Sequence, residues 1–192
     1  MKNTLIIKEL CTEQEYELYR DSFYKSLGDI SSNTKMISID YLKASEVFGV
    51  FNKEGDMLAG YTLGKQSPLR LLDFVPPEAE LSLPQKFKWD DCCEVVCVWK
   101  KKEVNTFYTA HYFWPHILGN VLTSKKKYLL GHNQSKRLDS YYSLLGPKSL
   151  YSGVSTYGLP SNLFIYGMIK IRCIRYFSLT LYSIIQFFKN RK

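Results

Sequence analysis

One carboxylate stands inside the most strongly β-type run of the chain. Glu94 sits in CCEVVCVWK (92–100), among cysteines and valines. A buried carboxylate in such surroundings costs several kcal/mol unless it is paired. Burial also raises its pKa, which makes it a better proton acceptor near neutral pH. Two uses fit those facts: a general base, or half of a buried salt bridge with Arg20 or Arg70. Groups able to give a proton lie in SKRLDSYYSLLGPKSLY (135–151), which reads as a short helix stopped by Gly146 and followed by a strand. Tyr141 and Tyr142 project about 100° apart around such a helix, so one packs while the other can face a site.

The remaining reactive side chains add less. His111 and His116 lie five apart with Pro115 between them, poor spacing for a shared metal, and no zinc-ligand pattern exists. His132 closes a strand beside Asn133, where it can line a cleft. The five cysteines (Cys11, Cys92, Cys93, Cys97, Cys173) form no paired framework and lack C-x-x-C spacing. They read as reduced, buried thiols, which implies a cytoplasmic chain. Cys97 has no base beside it in the sequence that would make it a nucleophile. The opening MKNTLIIKEL has too short an apolar run for a signal peptide, and no stretch reaches the length of a spanning helix.

Charge is unevenly placed. Residues 1–103 hold 14 lysines and arginines against 17 acidic residues, a balance of −3. Residues 104–192 hold 12 against Asp139 alone, a balance of +11. Such a half suits an anionic partner: a phosphate, an acidic protein, a membrane surface or nucleic acid. No recognised nucleic-acid motif accompanies it, so nucleic acid is not expected.

These groups need a frame, and the frame is legible in outline. TLIIKEL (4–10) reads as a strand, and Thr12 with Glu15 forms a capping-box signature for a helix running to Gly28. Residues 29–44 are polar and irregular. EVFGVFN and MLAGYTLG flank KEGD as a hairpin. After a proline-punctuated stretch (75–84) come the strand at 92–100 and a helix over 105–122, kinked at Pro115. A strand at 127–132, the helix before Gly146, late strands in SLYSG and NLFIYGMIKI, and a helical tail complete the order. At 192 residues this is one α/β domain with a mixed sheet.

That order resembles the GNAT acyltransferase fold, and residues 5–155 carry the resemblance. LDSYYSLLG looks like the family's penultimate helix, where a tyrosine four residues before the terminal glycine protonates the leaving thiolate; Tyr142 stands there. LYRDSFYKSLG is similar to the first helix of the acyl-homoserine-lactone synthases and the N-acyl amino acid synthases, with Arg20, Phe23 and Leu27 near their marks. Glu94 matches their strand glutamate, and Asp40 resembles an acidic position before their hairpin. The resemblance implies a GNAT-like mixed, mostly antiparallel central sheet flanked by helices, with residues 1–168 as the acyltransferase domain. An added basic, amphipathic helix would follow over 169–192. It implies an N-acyltransferase moving an acyl chain from a thioester to an amine such as an amino acid, with catalytic Glu94 and Tyr142. Arg20, Phe23, Asp40, Trp99 and His132 are the expected substrate-binding residues, Trp99 as a wall of an acyl tunnel. Neither a metal nor a tightly bound cofactor is expected; the acyl thioester is a co-substrate.

Two departures narrow the expectation. The GNAT phosphate loop needs spaced glycines, and WKKKEVNTFY (99–108) has none, so a backbone cradle for coenzyme A is missing. Leu63 and Cys97 occupy positions where the lactone synthases carry arginines, which disfavours lactone formation from S-adenosylmethionine. The preferred donor is therefore an acidic acyl carrier protein, met by Lys125, Lys126, Lys127, Lys136 and Arg137. The alternatives are acyl-coenzyme A with its phosphates on Lys100–Lys102, and a non-catalytic module that binds membrane or nucleic acid. In the tail, Arg172, Arg175, Ser183, Gln186 and Asn190 form a narrow polar stripe on a broadly apolar helix. Such a helix buries its face on the domain, or lies on an anionic membrane at the inner face of the cell, where a lipid product would leave.

Overall fold

A computed structural model describes residues 5–27, 36–134 and 146–176. The capping box forms as the sequence requires. Glu15 N–H donates to Thr12 Oγ1 at 3.3 Å, and Glu15 Oε2 accepts from the N–H groups of Cys11 and Thr12 at 2.9 and 3.1 Å. Helix α1 (Glu13–Leu27) follows strand β1 (Ile6–Leu10). In the stretch expected to be irregular, the Ser38 side chain caps a short helix, α2 (Ile39–Lys43), by accepting from Tyr41 N–H at 3.1 Å.

The hairpin is β2 (Glu46–Phe51) with β3 (Met57–Gly64), and the carboxylate-bearing run is β4 (Cys92–Lys100). Between β3 and β4 lies a 3-10 turn, Arg70–Phe74. Strands β5 (Tyr128–Asn133), β6 (Lys148–Val154) and β7 (Pro160–Gly167) finish a seven-stranded sheet of order β1-β2-β3-β4-β5-β7-β6. Every neighbouring pair is antiparallel except β4 with β5. The mixed, mostly antiparallel sheet flanked by helices is thus present.

Three elements differ from expectation. The helix over 105–122 is interrupted: α3 (Thr106–Tyr108) passes into a π-helical turn, Thr109–Phe113, before α4 (Trp114–Thr123). Pro115 has no N–H for the His111 carbonyl, and a widened turn just before it accommodates that loss. The strand expected over 162–171 ends at Gly167, and residues 168–176 are helical (α5). A continuous apolar run does not distinguish strand from buried helix. The helix expected at 135–145, with Tyr141 and Tyr142, lies outside the described residues. Gly146 itself has φ +58°, the left-handed conformation a helix-ending glycine supplies.

Strand alternation sends Cys93 and Val95 to one face and Cys92 and Val96 to the other. The first face is covered by the π-helical turn, α4 and α5, through Phe113, Ile117, Val121 and Ile171. The second is covered by α1 and α2 at one end and by the 3-10 turn at the other. Ile171 is 1% exposed, so the start of the tail packs on the domain; the rest of the tail lies outside the described residues. Among the described residues no helix is long and apolar enough to cross a membrane.

Candidate active site

The parallel pair at the centre of the sheet opens. Pairing of β4 with β5 stops at Glu94–Leu130; beyond it β4 stays with β3 while β5 stays with β7. The carboxyl ends of the two strands therefore splay apart and leave a cavity of about 640 Å³. Val95, Val96, Leu129 and Phe164 give it an apolar lining, and Phe23 and Arg70 belong to its wall. Its lining is mostly apolar, and long apolar groups fit such a space.

The rim contains a bulge. Gly60 pairs with Trp99 but Thr62 with Val96, so β4 carries one residue more than β3 across this step. Cys97 takes φ +55°, a left-handed conformation that costs energy for a residue with a Cβ. Tyr19, fully buried on α1, holds it: its hydroxyl donates to Cys97 O at 2.7 Å and accepts from Thr62 Oγ1 at 3.0 Å. Burial pushes the Cys97 thiol up to about 12, so it stays protonated at neutral pH.

Glu94 lies at the vertex of the splay and is fully buried. Its Oε1 accepts from the Tyr41 hydroxyl at 2.7 Å and from Arg70 N–H at 2.7 Å; Oε2 accepts from Leu71 N–H at 2.8 Å. Burial pushes its pKa up, and these donors together with the Arg70 charge oppose the shift. Gly64 makes the arrangement possible. It pairs with Glu94, and a Cβ there would stand 2.8 Å from Tyr41 Oη and 2.9 Å from Glu94 Oε1.

The expected site residues divide on this geometry. Phe23 and His132 line the cavity, His132 stacked on Phe74 (4.4 Å between ring centres) and hydrogen-bonded to Ser161 Oγ at 2.8 Å. Burial depresses the His132 pKa to about 4. Glu94 is buried, as its place in an apolar strand implies, and the cavity-lining residues Val95 and Val96 adjoin it in the chain. Trp99 is a correction, since it is buried against Tyr19 beneath α1 and does not line the cavity. Arg20 lies 3.5 Å from Asp21, and Asp40 is exposed on the first turn of α2; neither lines the cavity. Lys125, Lys126 and Lys127 precede β5, at the end of the parallel pair opposite the opening. Lys126 Nζ donates to Asp90 O at 2.7 Å and Lys127 pairs with Asp91 at 2.9 Å, so they brace that end. Lys101 and Lys102, by contrast, are exposed beyond the carboxyl end of β4. Tyr142, Lys136 and Arg137 lie outside the described residues. Sequence reasoning missed Tyr41 and Tyr19; a glycine inside a strand opposite the lone carboxylate was the available signal.

No protein-family model matches the sequence, and no curated protein matches it. Solved structures do match its fold. FeeM, an N-acyl amino acid synthase from uncultured soil microbes, superposes with a TM-score of 0.59 at 16% identity, covering 90% of this chain and 95% of that one. An N-acetyltransferase from Staphylococcus aureus gives 0.55 at 10% identity, covering 86% and 99%. A Salmonella typhimurium protein solved with acetyl-CoA gives 0.50 at 10% identity, covering 86% and 95%.

Proposed function

We propose that this chain, whose fold is that of the GNAT acyltransferases, is an N-acyltransferase moving an acyl chain from a thioester to a small-molecule amine such as an amino acid. The observation that carries the reading is the apolar cavity opening at the point where the bulge and a buried carboxylate meet. The acyl chain occupies the cavity with its carbonyl at the rim. Backbone N–H groups at the bulge, where Cys97 and Val98 have no partner in the β3 register, stabilise the oxyanion. Arg70, on the cavity wall, attracts a carboxylate on the acceptor. Glu94, with its raised pKa, is the final acceptor of the amine's proton. Tyr142 protonates the departing thiolate. The likeness of the fold to FeeM, an N-acyl amino acid synthase, supports this reading.

The donor is an acyl carrier protein or acyl-coenzyme A. The position of Lys101 and Lys102 favours donor contact at the open end of β4, whichever donor is used. Lys136 and Arg137 remain part of the proposed carrier surface; Lys125–Lys127 are at the wrong end for it. Mass spectrometry of lipid extracts from a bacterium expressing the chain tests the function. A new amide-linked lipid, absent with Glu94→Gln, is expected; extracts identical to those of the empty host overturn the reading.

A further inference from the structure

The cavity has an open end and a deep end, and strand register separates them. Val98, at the rim, is 36% exposed. Val95, also in the lining, lies three residues, roughly 10 Å, deeper along β4. Leu130 is the last β5 residue paired with β4, so Val95 and Gly131 are the first to part and stand at the vertex. Gly131 pairs with Phe164 of β7, and both line the cavity. The Phe164 ring lies where a side chain on residue 131 would be: a Cβ there would stand 2.3 Å from Phe164 Cε2 and 3.0 Å from Cδ2 and Cζ. The ring is 5% exposed and meets the Tyr166 ring edge-to-face at 5.5 Å between centres. Phe113 and Ile117 belong to the same cluster. A glycine opposite a phenylalanine thus lets an aromatic ring lie over the backbone at the deep end.

From this placement we infer that Phe164, seated on Gly131, is the specificity-determining residue that limits the length of the acyl chain. The inference rests on the reading of this cavity as the acyl site. A thioester carbonyl held at the bulge sends its chain down between β4 and β5, toward Val95 and Gly131. Each methylene buried on the way raises affinity about fourfold. The gain ends where the chain meets the ring. A longer chain must displace an aromatic side chain from a close-packed cluster, or leave its end in water. The limit moves in both directions. A smaller residue at 164 deepens the floor. A Cβ at 131 pushes the ring off the strand, and the cavity is adjoining space not already filled.

The test uses the full chain. Calorimetry gives dissociation constants for the saturated fatty acids from hexanoate to stearate, and kinetics give kcat/KM for the matching acyl thioesters. Affinity of the unaltered chain should rise about fourfold per methylene and then level off at one length, the break. Phe164→Leu should move the break to longer acids and Gly131→Ala to shorter ones. Gly131→Ala/Phe164→Leu should return it toward the unaltered length, because both substitutions act through one ring. A break at the same length in every folded variant, or one moved the same way by both substitutions, overturns the inference. Where one variant does not fold, the other decides. Where neither folds, a photoreactive diazirine at the tip of the break-length acid decides on the unaltered chain: labelling within residues 129–131 or 164–166 supports the inference, and labelling elsewhere overturns it. Binding that never levels off overturns the inference alone. An unaltered chain that neither binds a fatty acid nor acylates an amine overturns the acyl-site reading, and the inference with it.

Discussion

The two walls of the cavity treat a buried titratable group in different ways. Behind the wall formed by β4 and the 3-10 turn, Glu94 receives three hydrogen bonds that favour its charged form against a burial that raises its pKa. On the wall formed by β5 and β7, His132 has one serine hydroxyl and the face of Phe74, and burial alone lowers its pKa to about 4. Dehydration pushes both toward neutrality, but only the carboxylate is compensated. The difference assigns roles. A neutral imidazole with so low a pKa is a weak base, whereas a carboxylate with a raised pKa is a competent one.

The contrast yields predictions that differ in size. Gly64→Ala attacks the compensated carboxylate through space alone, since its Cβ would crowd both Tyr41 Oη and Glu94 Oε1. It should lower acyl transfer on the order of 100-fold, read as kcat, with a smaller loss of melting temperature; unchanged kcat would show that the contact is idle. Tyr142→Phe should cost more than Tyr141→Phe, on the order of tenfold or greater in kcat, because only Tyr142 is assigned to the thiolate. Equal initial rates would return both tyrosines to packing. Reversal of Lys101 and Lys102 to glutamate should raise the KM for the thioester donor about tenfold with a strong salt dependence, while Lys126→Glu should change it little. The opposite ranking would move donor contact to the other end of β5.

The smallest effect on turnover belongs to His132. Its folded pKa of about 4 lies below the ordinary 6.5, so below pH 6.5 the unfolded chain takes up a proton that the folded chain does not. Stability should therefore fall as pH drops from 6.5 toward 4, and His132→Gln should remove roughly 1–3 kcal/mol of that loss. Glu94 has the opposite sign. Its raised pKa stabilises the fold below the ordinary carboxylate value of 4.5, and that contribution is lost as pH rises through the folded value. Urea titrations at several pH values separate the two slopes.

The strands and the lone carboxylate were legible because alternation and burial are local properties of sequence. CCEVVCVWK reads as a strand from its own residues, and it is one. The partner of Glu94 was not legible, since Tyr41 is 53 residues away and meets it only when α2 folds across β3. The bulge escaped for a related reason: Cys97 is held at positive φ by Tyr19, 78 residues earlier, not by its own preference. Trp99 was placed in the cavity by its bulk, but the same bulge turns it under α1. Lys125–Lys127 read as a binding patch from charge alone, and only the parallel register shows which end of the cavity they occupy.

The most direct measurement is amide formation by the purified chain, followed by mass spectrometry with a long-chain acyl thioester and a mixture of amino acids, alongside Glu94→Gln. An acylated amine from the unaltered chain, and a rate lower by a factor on the order of 10²–10⁴ in a variant that melts normally, is the predicted result. Near-equal rates in a folded Glu94→Gln variant would contradict the account.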